Sequence, residues 1–302
     1  MTEIGFVGLG RMGGAMSRHL LKAGHALRVH DLNSDAVQAL VALGAKAAPD
    51  GRLVADGAEV VFTMLPRGAD VEAAVFGPNG VVEGLAPGAL LIDMSTILPD
   101  ETRAICARLA ERGVAMIDAP AGRTSAHAEA GTSTFMVGGT PTDLERARPL
   151  LELLGESITH CGPLGAGATV KLVNNYISAV INLATAEGVN LGLAAGVKLE
   201  TIVEVISQTP AGQGHIKTTW PQKALKDDPE PAFMLDLATK DLGLALQAGS
   251  IHRATLATGA AAHQVYAQAQ SAGHGHEDWT TGIFRTVQGL SATTDGHRGG
   301  DG

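Results

Sequence analysis

The stretch "GFVGLGRMGGAM", residues 5–16, decides the fold. The apolar run Ile4 to Val7 reads as a strand, Gly8-Leu9-Gly10-Arg11-Met12-Gly13 is a G-x-G-x-x-G, and a helical pattern follows. In a strand, turn and helix, such glycines permit a tight turn, close approach of backbone to a pyrophosphate, and close packing of helix on sheet. A second candidate strand, Leu27 to His30, ends in Asp31, about 20 residues on, where a carboxylate accepts hydrogen bonds from ribose hydroxyls. Leu32, Asn33 and Ser34 come next, with no Arg or Lys to neutralise a 2′-phosphate. The expected cofactor is therefore NAD (NADH), with Gly8, Gly10, Arg11, Met12, Gly13 and Asp31 around it. The alternative is an ordinary strand-turn-helix with an exposed aspartate.

Working outward, further strands are expected at Glu59 to Met64, Leu90 to Met94, Val114 to Asp118 and Thr134 to Val137. Most are followed by helical patterns, as in a parallel sheet with crossover helices. Two strand ends, Thr63-Met64-Leu65-Pro66 and Asp93-Met94-Ser95-Thr96, belong at the carboxyl edge, where ligands of doubly wound folds bind. Leu65 is a candidate wall for the nucleotide and Thr96 a candidate partner for the nicotinamide side. A helix is expected from about Pro141. Beyond Cys161-Gly162-Pro163 strand signals end, and a helical pattern runs from about Gly167 to Leu193. Residues 1–162 are thus expected to bind the nucleotide and 163–290 to form a helical domain, with a frayed tail over 291–302.

The chain's 302 residues favour two cores over one. With 22 Lys and Arg against 31 Asp and Glu, and no dense basic cluster, it is not built for nucleic acid or anionic lipid. The apolar stretches read as broken well below the roughly 20 residues of a membrane span. No basic segment precedes the first strand, so a cytoplasmic enzyme is expected. Cys106 and Cys161 form no ligand pattern and are expected as buried thiols, and His274-Gly275-His276 as a solvated turn, not a metal site. His215 and Trp220 are expected to serve packing.

In "GATVKLVNNYIS", residues 167–178, Lys171, Asn174, Asn175 and Ser178 recur at helical spacing and share one face. Leu172, Val173, Ile177, Val180 and Ile181 are expected to pack. A solvated helix face is the alternative, although such faces are usually richer in Glu, Lys and Arg than in paired amides. A lysine suits hydride chemistry, because its ammonium can protonate a carbonyl oxygen as hydride reaches the carbon.

Together, "GFVGLGRMGGAM", "FTMLP", "IDMSTILP", "GAGATVKLVNNY" and "KDLGLAL" resemble the β-hydroxyacid dehydrogenases, the family of 3-hydroxyisobutyrate dehydrogenase, over nearly the whole chain. The resemblance implies an α/β Rossmann domain plus an all-α C-terminal domain joined by a long interdomain helix, in a homodimer or homotetramer. It also implies Lys171 as catalytic acid/base, Asn175 as a substrate-orienting amide and Lys240 at the nicotinamide end.

After the strand ending at Asp118 the family commonly reads Asp-Ala-Pro-Val-Ser-Gly-Gly. Here Gly122 stands where Ser is usual, Arg123 and Thr124 replace two glycines, and His127 replaces a third. Arg123 brings a rigid guanidinium fork and Thr124 and Ser125 bring hydroxyls, a donor set suited to a tetrahedral, permanently ionised sulfonate. Asn174, Asn175 and Ser178 are the expected complement, and an ion pair of Arg123 with Glu129 is the alternative. "GRTSAHA", "NNYIS", "AGQGHIKTTWPQKAL" and "VYAQAQSAGHGHEDW" are similar to the 3-sulfolactaldehyde reductase branch of the family. That implies NAD(H)-dependent interconversion of 3-sulfolactaldehyde and 2,3-dihydroxypropane-1-sulfonate. The rivals are a carboxylate semialdehyde reductase, acting on succinic or tartronate semialdehyde for example, or a non-catalytic nucleotide-binding module.

Overall fold

The structure, a computed structural model, describes residues 2–295. It divides into two compact units, Met1–Lys171 and Leu172–Gly302. Unit 1 opens with β1 (Glu3–Val7), α1 (Arg11–Lys22), β2 (Ala26–His30), α2 (Ser34–Val41), β3 (Lys46–Ala47), α3 (Gly51–Ala55), β4 (Val60–Thr63) and α4 (Gly68–Phe76). It continues with β5 (Leu90–Asp93), α5 (Pro99–Ala110), β6 (Ala115–Asp118), β7 (Ala121–Gly122), α6 (Ser125–Ala130), β8 (Ser133–Gly138), α7 (Pro141–Leu151) and β9 (Gly155–Gly162). The strand order β3-β2-β1-β4-β5-β6 is parallel throughout, the doubly wound dinucleotide-binding order. Both faces of β4 and β5 are buried, as their unbroken apolar sequences require.

The sheet then departs from the all-parallel expectation. β8 runs antiparallel to β6 and β7, and β9 adds itself parallel to β8. β3, β7 and β9 carry no strand pattern that the sequence reading recognised. β3 and β7 are two residues long, and β9, "GESITHCG", is mostly exposed or half-buried and lacks an apolar run.

α8 (Ala166–Ala194) begins in unit 1 and continues into unit 2, so the division between these compact units falls inside it. Unit 2 adds α9 (Leu199–Ser207), α10 (His215–Thr218), α11 (Leu235–Ile251), α12 (Ala257–Ala269) and α13 (Trp279–Asp295). Its core gathers Ala179, Leu183 and Ala186 of α8 around Trp220, Leu242, Tyr266 and Phe284. Asn182, fully buried, accepts a hydrogen bond from Trp220 Nε1 at 2.9 Å, and the Tyr266 hydroxyl donates to the Ala179 carbonyl at 3.0 Å. The polar groups of this core thereby satisfy one another.

Four expectations need correction. α8 is long and apolar enough, by length and composition, to cross a membrane, because its glycines and amides interrupt the apolar run without lowering its overall hydropathy enough. Of its apolar residues Leu172 is buried, but Val173, Ile177 and Ile181 are exposed, since they share a third face that neither unit's core covers. α13 runs to Asp295, past the expected start of a tail at 291, because "SATTD" contains no helix breaker; residues 296–302 lie outside the described residues. Cys106 and Cys161 are free and only half-buried.

Candidate active site

In unit 1 the carboxyl ends of β1, β2 and β4 border a cleft of about 650 Å³ lined by Gly8, Gly10, Asp31, Leu65 and Arg67 among others. Packing dictates two of the motif's glycines. A Cβ on Gly8, whose φ is +95°, would lie 2.2 Å from the Met64 carbonyl oxygen, and one on Gly13 would lie 2.0 Å from the Gly8 oxygen. Gly10 differs: its φ is −60° and nothing lies within 4 Å of where its Cβ would be. Neither conformation nor the chain's own packing demands glycine there, whereas a dinucleotide pyrophosphate at the start of α1 does. Gly10 is also the cap residue of α1 and has no side chain to close that helix end. Arg11 and Met12 open the helix beside it, Arg11 exposed.

Asp31 is held at the lip of this cleft, its Oδ2 accepting the Leu9 N–H at 2.6 Å and its Oδ1 the Asn33 N–H at 2.7 Å. Each oxygen keeps lone-pair capacity for a ribose hydroxyl. Leu32 beside it is 98% exposed and Asn33 caps α2, so the residues following Asp31 bring no cation for a 2′-phosphate; Arg67 lines the same cleft and pairs with Asp70. The residues fit NAD.

The next two strand ends are braced together. The Thr63 hydroxyl donates to Asp93 Oδ1 at 2.8 Å, the Ser95 N–H to the same oxygen at 3.2 Å, and the Leu65 N–H to Ser95 Oγ at 2.9 Å. Leu65 and Thr96, read from sequence as cofactor contacts, therefore sit on turns organised by Asp93 and Ser95, which sequence reasoning passed over. Burial pushes the Asp93 carboxyl up to about 6, against the hydrogen bonds from Ser95 and Thr63.

Past β6 the chain bends into β7 and then α6. A Cβ on Gly122 would lie 2.4 Å from the Thr134 hydroxyl oxygen, which fills that space. Arg123 stands in the left-handed region at φ +70°, uncommon for a residue with a side chain. Its Nη1 donates to the Thr132 carbonyl at 2.9 Å and pairs with Glu156 on β9. The expected alternative partner, Glu129, pairs with Arg18 instead, because α6 lies against α1, where His19 Nε2 also sits 3.0 Å from the Glu129 carbonyl oxygen. Thr124 is the cap residue of α6, with its hydroxyl 2.9 Å from His127 Nδ1, and Ser125 begins that helix. Lys171, at the end of unit 1, is 9% exposed.

Unit 2 brings a second group together. Asn174 Nδ2 donates to Asn175 Oδ1 at 2.9 Å, and Asn175 Nδ2 donates to Asp241 Oδ2 at 2.5 Å. The ammonium of Lys240 lies 2.8 Å from Asp241 Oδ1. Asp241, nearly buried, thus joins two residues read separately from sequence, and its place in the "KD" pair was the available signal. The Ser178 carbonyl accepts from His215 Nε2 at 2.9 Å; burial holds the imidazole pKa below its ordinary value, so His215 donates as the neutral ring. His215 also meets Trp279 edge to face, and Trp220 is fully buried. His274 and His276 face the carboxylates of Glu277 and Asp236.

Residues 3–162 match the family model of the NAD binding domain of 6-phosphogluconate dehydrogenase. Residues 165–285 match that of the NAD-binding domain of NADP-dependent 3-hydroxyisobutyrate dehydrogenase. The chain is 46% identical to 3-sulfolactaldehyde reductase of Escherichia coli K12, over 97% of this chain and 99% of that one. It is 40% identical to NAD-dependent L-serine dehydrogenase of Pseudomonas aeruginosa, over 98% and 100%. Among solved structures, 3-hydroxyisobutyrate dehydrogenase of Mycobacterium tuberculosis with L-serine aligns with a TM-score of 0.86 at 34% identity, covering 94% of this chain and 98% of that one. With a nucleotide cleft in unit 1 and matches spanning both units, the chain belongs to the β-hydroxyacid dehydrogenase family, that of 3-hydroxyisobutyrate dehydrogenase, and is an NAD(P)-binding oxidoreductase.

Proposed function

We propose that the protein interconverts 3-sulfolactaldehyde and 2,3-dihydroxypropane-1-sulfonate with NADH and NAD. The observation that carries this reading is Arg123: an arginine kept at a left-handed backbone position where glycine is easier, followed by the hydroxyls of Thr124 and Ser125. A residue that costs conformational energy is best explained by what its side chain does. The 46% identity to a 3-sulfolactaldehyde reductase supports the same substrate.

Gly8 to Gly13 would hold the reduced nicotinamide nucleotide, which when bound would supply hydride for the aldehyde carbon. Lys171 gives a proton to the carbonyl oxygen as it becomes an alkoxide, and takes that proton back from the alcohol in the reverse direction. Arg123 holds the sulfonate through its fork, sharing or leaving Glu156; in unit 2, Asn174, Asn175 and Ser178 form a polar helix face of substrate-orienting type. Asp241 holds Asn175 and Lys240 in register for this. Asp31 accepts from the ribose and repels a 2′-phosphate, which favours NAD. The exposed stripe Val173, Ile177 and Ile181 on α8 supports a homo-oligomer.

The test follows NADH formation from dihydroxypropanesulfonate, 3-hydroxyisobutyrate, 4-hydroxybutyrate and L-serine at equal concentrations. A preference in kcat/KM of about a hundredfold for the sulfonate, roughly 2.7 kcal/mol of transition-state discrimination, is expected. Preference for a carboxylate would replace this substrate by one of those of the other relatives.

A further inference from the structure

α8 has no side chain of its own with which to close its N-terminus. Its cap residue is Gly165, at φ +87°, whose carbonyl accepts the Thr169 N–H at 3.0 Å. The N–H groups a cap side chain ordinarily satisfies, two and three residues into the helix, belong to Gly167 and Ala168. A carboxylate from far back in the chain takes the second of them. Asp118, the last residue of β6, accepts the Ala168 N–H at Oδ2 and the Gly165 N–H at Oδ1, both at 2.7 Å.

The socket is cleared by glycines. A Cβ on Gly138 would lie 2.4 Å from Asp118 Oδ1, and one on Gly167 would lie 2.8 Å from Oδ2 and 2.1 Å from the Met136 carbonyl oxygen. Asp118 is 2% exposed, so its carboxylate is removed from water and satisfied by these amides at the positive end of the helix. Lys171 comes three residues after Ala168, one turn further along. A slip of one residue in that first turn would rotate Lys171 by about 100° around the helix axis.

We propose that Asp118 is a positioning residue for the reaction: by capping α8 across the sheet edge it fixes the rotation and height of the turn that presents Lys171. The proposal rests on Lys171 as the acid/base. It assigns to the aspartate of the "DAP" stretch a role in catalysis without contact to substrate.

The test uses the full-length protein and the variants Asp118→Asn, Gly138→Ala and Lys171→Ala. Asp118→Asn keeps the shape but turns an amide NH2 toward a backbone N–H; Gly138→Ala keeps the carboxylate and crowds it. Each is expected to lower kcat ten- to a hundredfold and to shift the pH at which kcat is half its plateau. NADH affinity should stay within about twofold and circular dichroism unchanged. A fall in melting temperature with wild-type kcat and pH profile would make the cap purely structural and overturn the proposal. Should Asp118→Asn fail to fold, Gly138→Ala decides by the same readouts. Turnover retained by Lys171→Ala would instead break the acid/base reading itself, whereas an inactive Lys171→Ala beside two unimpaired cap variants would remove only the positioning role.

Discussion

The turn after β1 and the turn after β6 belong to the same sheet and are opposite solutions to holding an anion. At Gly10 the chain leaves space that none of its own atoms use, at a helix start whose backbone amides suit a phosphate. At Arg123 the chain fills a position where glycine is easier, with a long cation already engaged by Glu156 and the Thr132 carbonyl. The first solution serves a ligand shared by every dinucleotide enzyme and needs only backbone. The second, in the proposed function, serves a particular anion and needs a side chain, which carries a conformational cost. If both proposed sites hold, cofactor recognition is a vacancy and substrate recognition an occupancy.

The strongest challenge to that contrast is Arg123→Gly. It relieves the left-handed backbone and deletes the fork, so kcat/KM for the sulfonate should fall about a hundredfold while the melting temperature stays level or rises. Equal turnover of the sulfonate would place Arg123 outside the site. A smaller effect is expected from Gly10→Ala. Because no atom of the chain lies near that Cβ, thermal unfolding should be unchanged, yet NADH titrated by fluorescence should bind about tenfold more weakly. Loss of stability with intact NADH affinity would show that the vacancy serves folding. The mildest change is Glu156→Gln, which removes the resident counter-charge; KM for the sulfonate should drop a few-fold with kcat unaltered. A raised KM would mean that Glu156 aims Arg123 rather than competing for it.

Much of the nucleotide site was legible because its signals are local. Spacing within "GLGRMG" and the distance from there to Asp31 survive any packing of the remaining chain. The stripe of Lys171, Asn174, Asn175 and Ser178 follows from the helical repeat alone. What escaped were partners: Asp93 under Leu65 and Thr96, Asp118 under α8, and Asp241 between Asn175 and Lys240. Each lies in a stretch that the family resemblance picks out, yet which groups its carboxylate holds depends on partners 30 to 66 residues away.

The substrate turn shows the same limit. Its unusual arginine was visible at once, but Glu129, six residues on, was the next acid along the chain, and the arginine pairs with Glu156. β9 has a half-exposed sequence without a strand period, so only its pairing with β8 makes it a strand and brings Glu156 to the turn.

By itself, then, the sequence determined the alternation of strand and helix, the glycine vacancy, the carboxylate at the end of β2 and the face of α8 that bears the lysine. Those depend on covalent spacing and on the fixed periods of strand and helix. Tertiary structure alone decided the antiparallel edge, the counter-ion of Arg123 and the carboxylate that caps α8. These depend on strand register and on which buried polar groups must find partners once water is excluded.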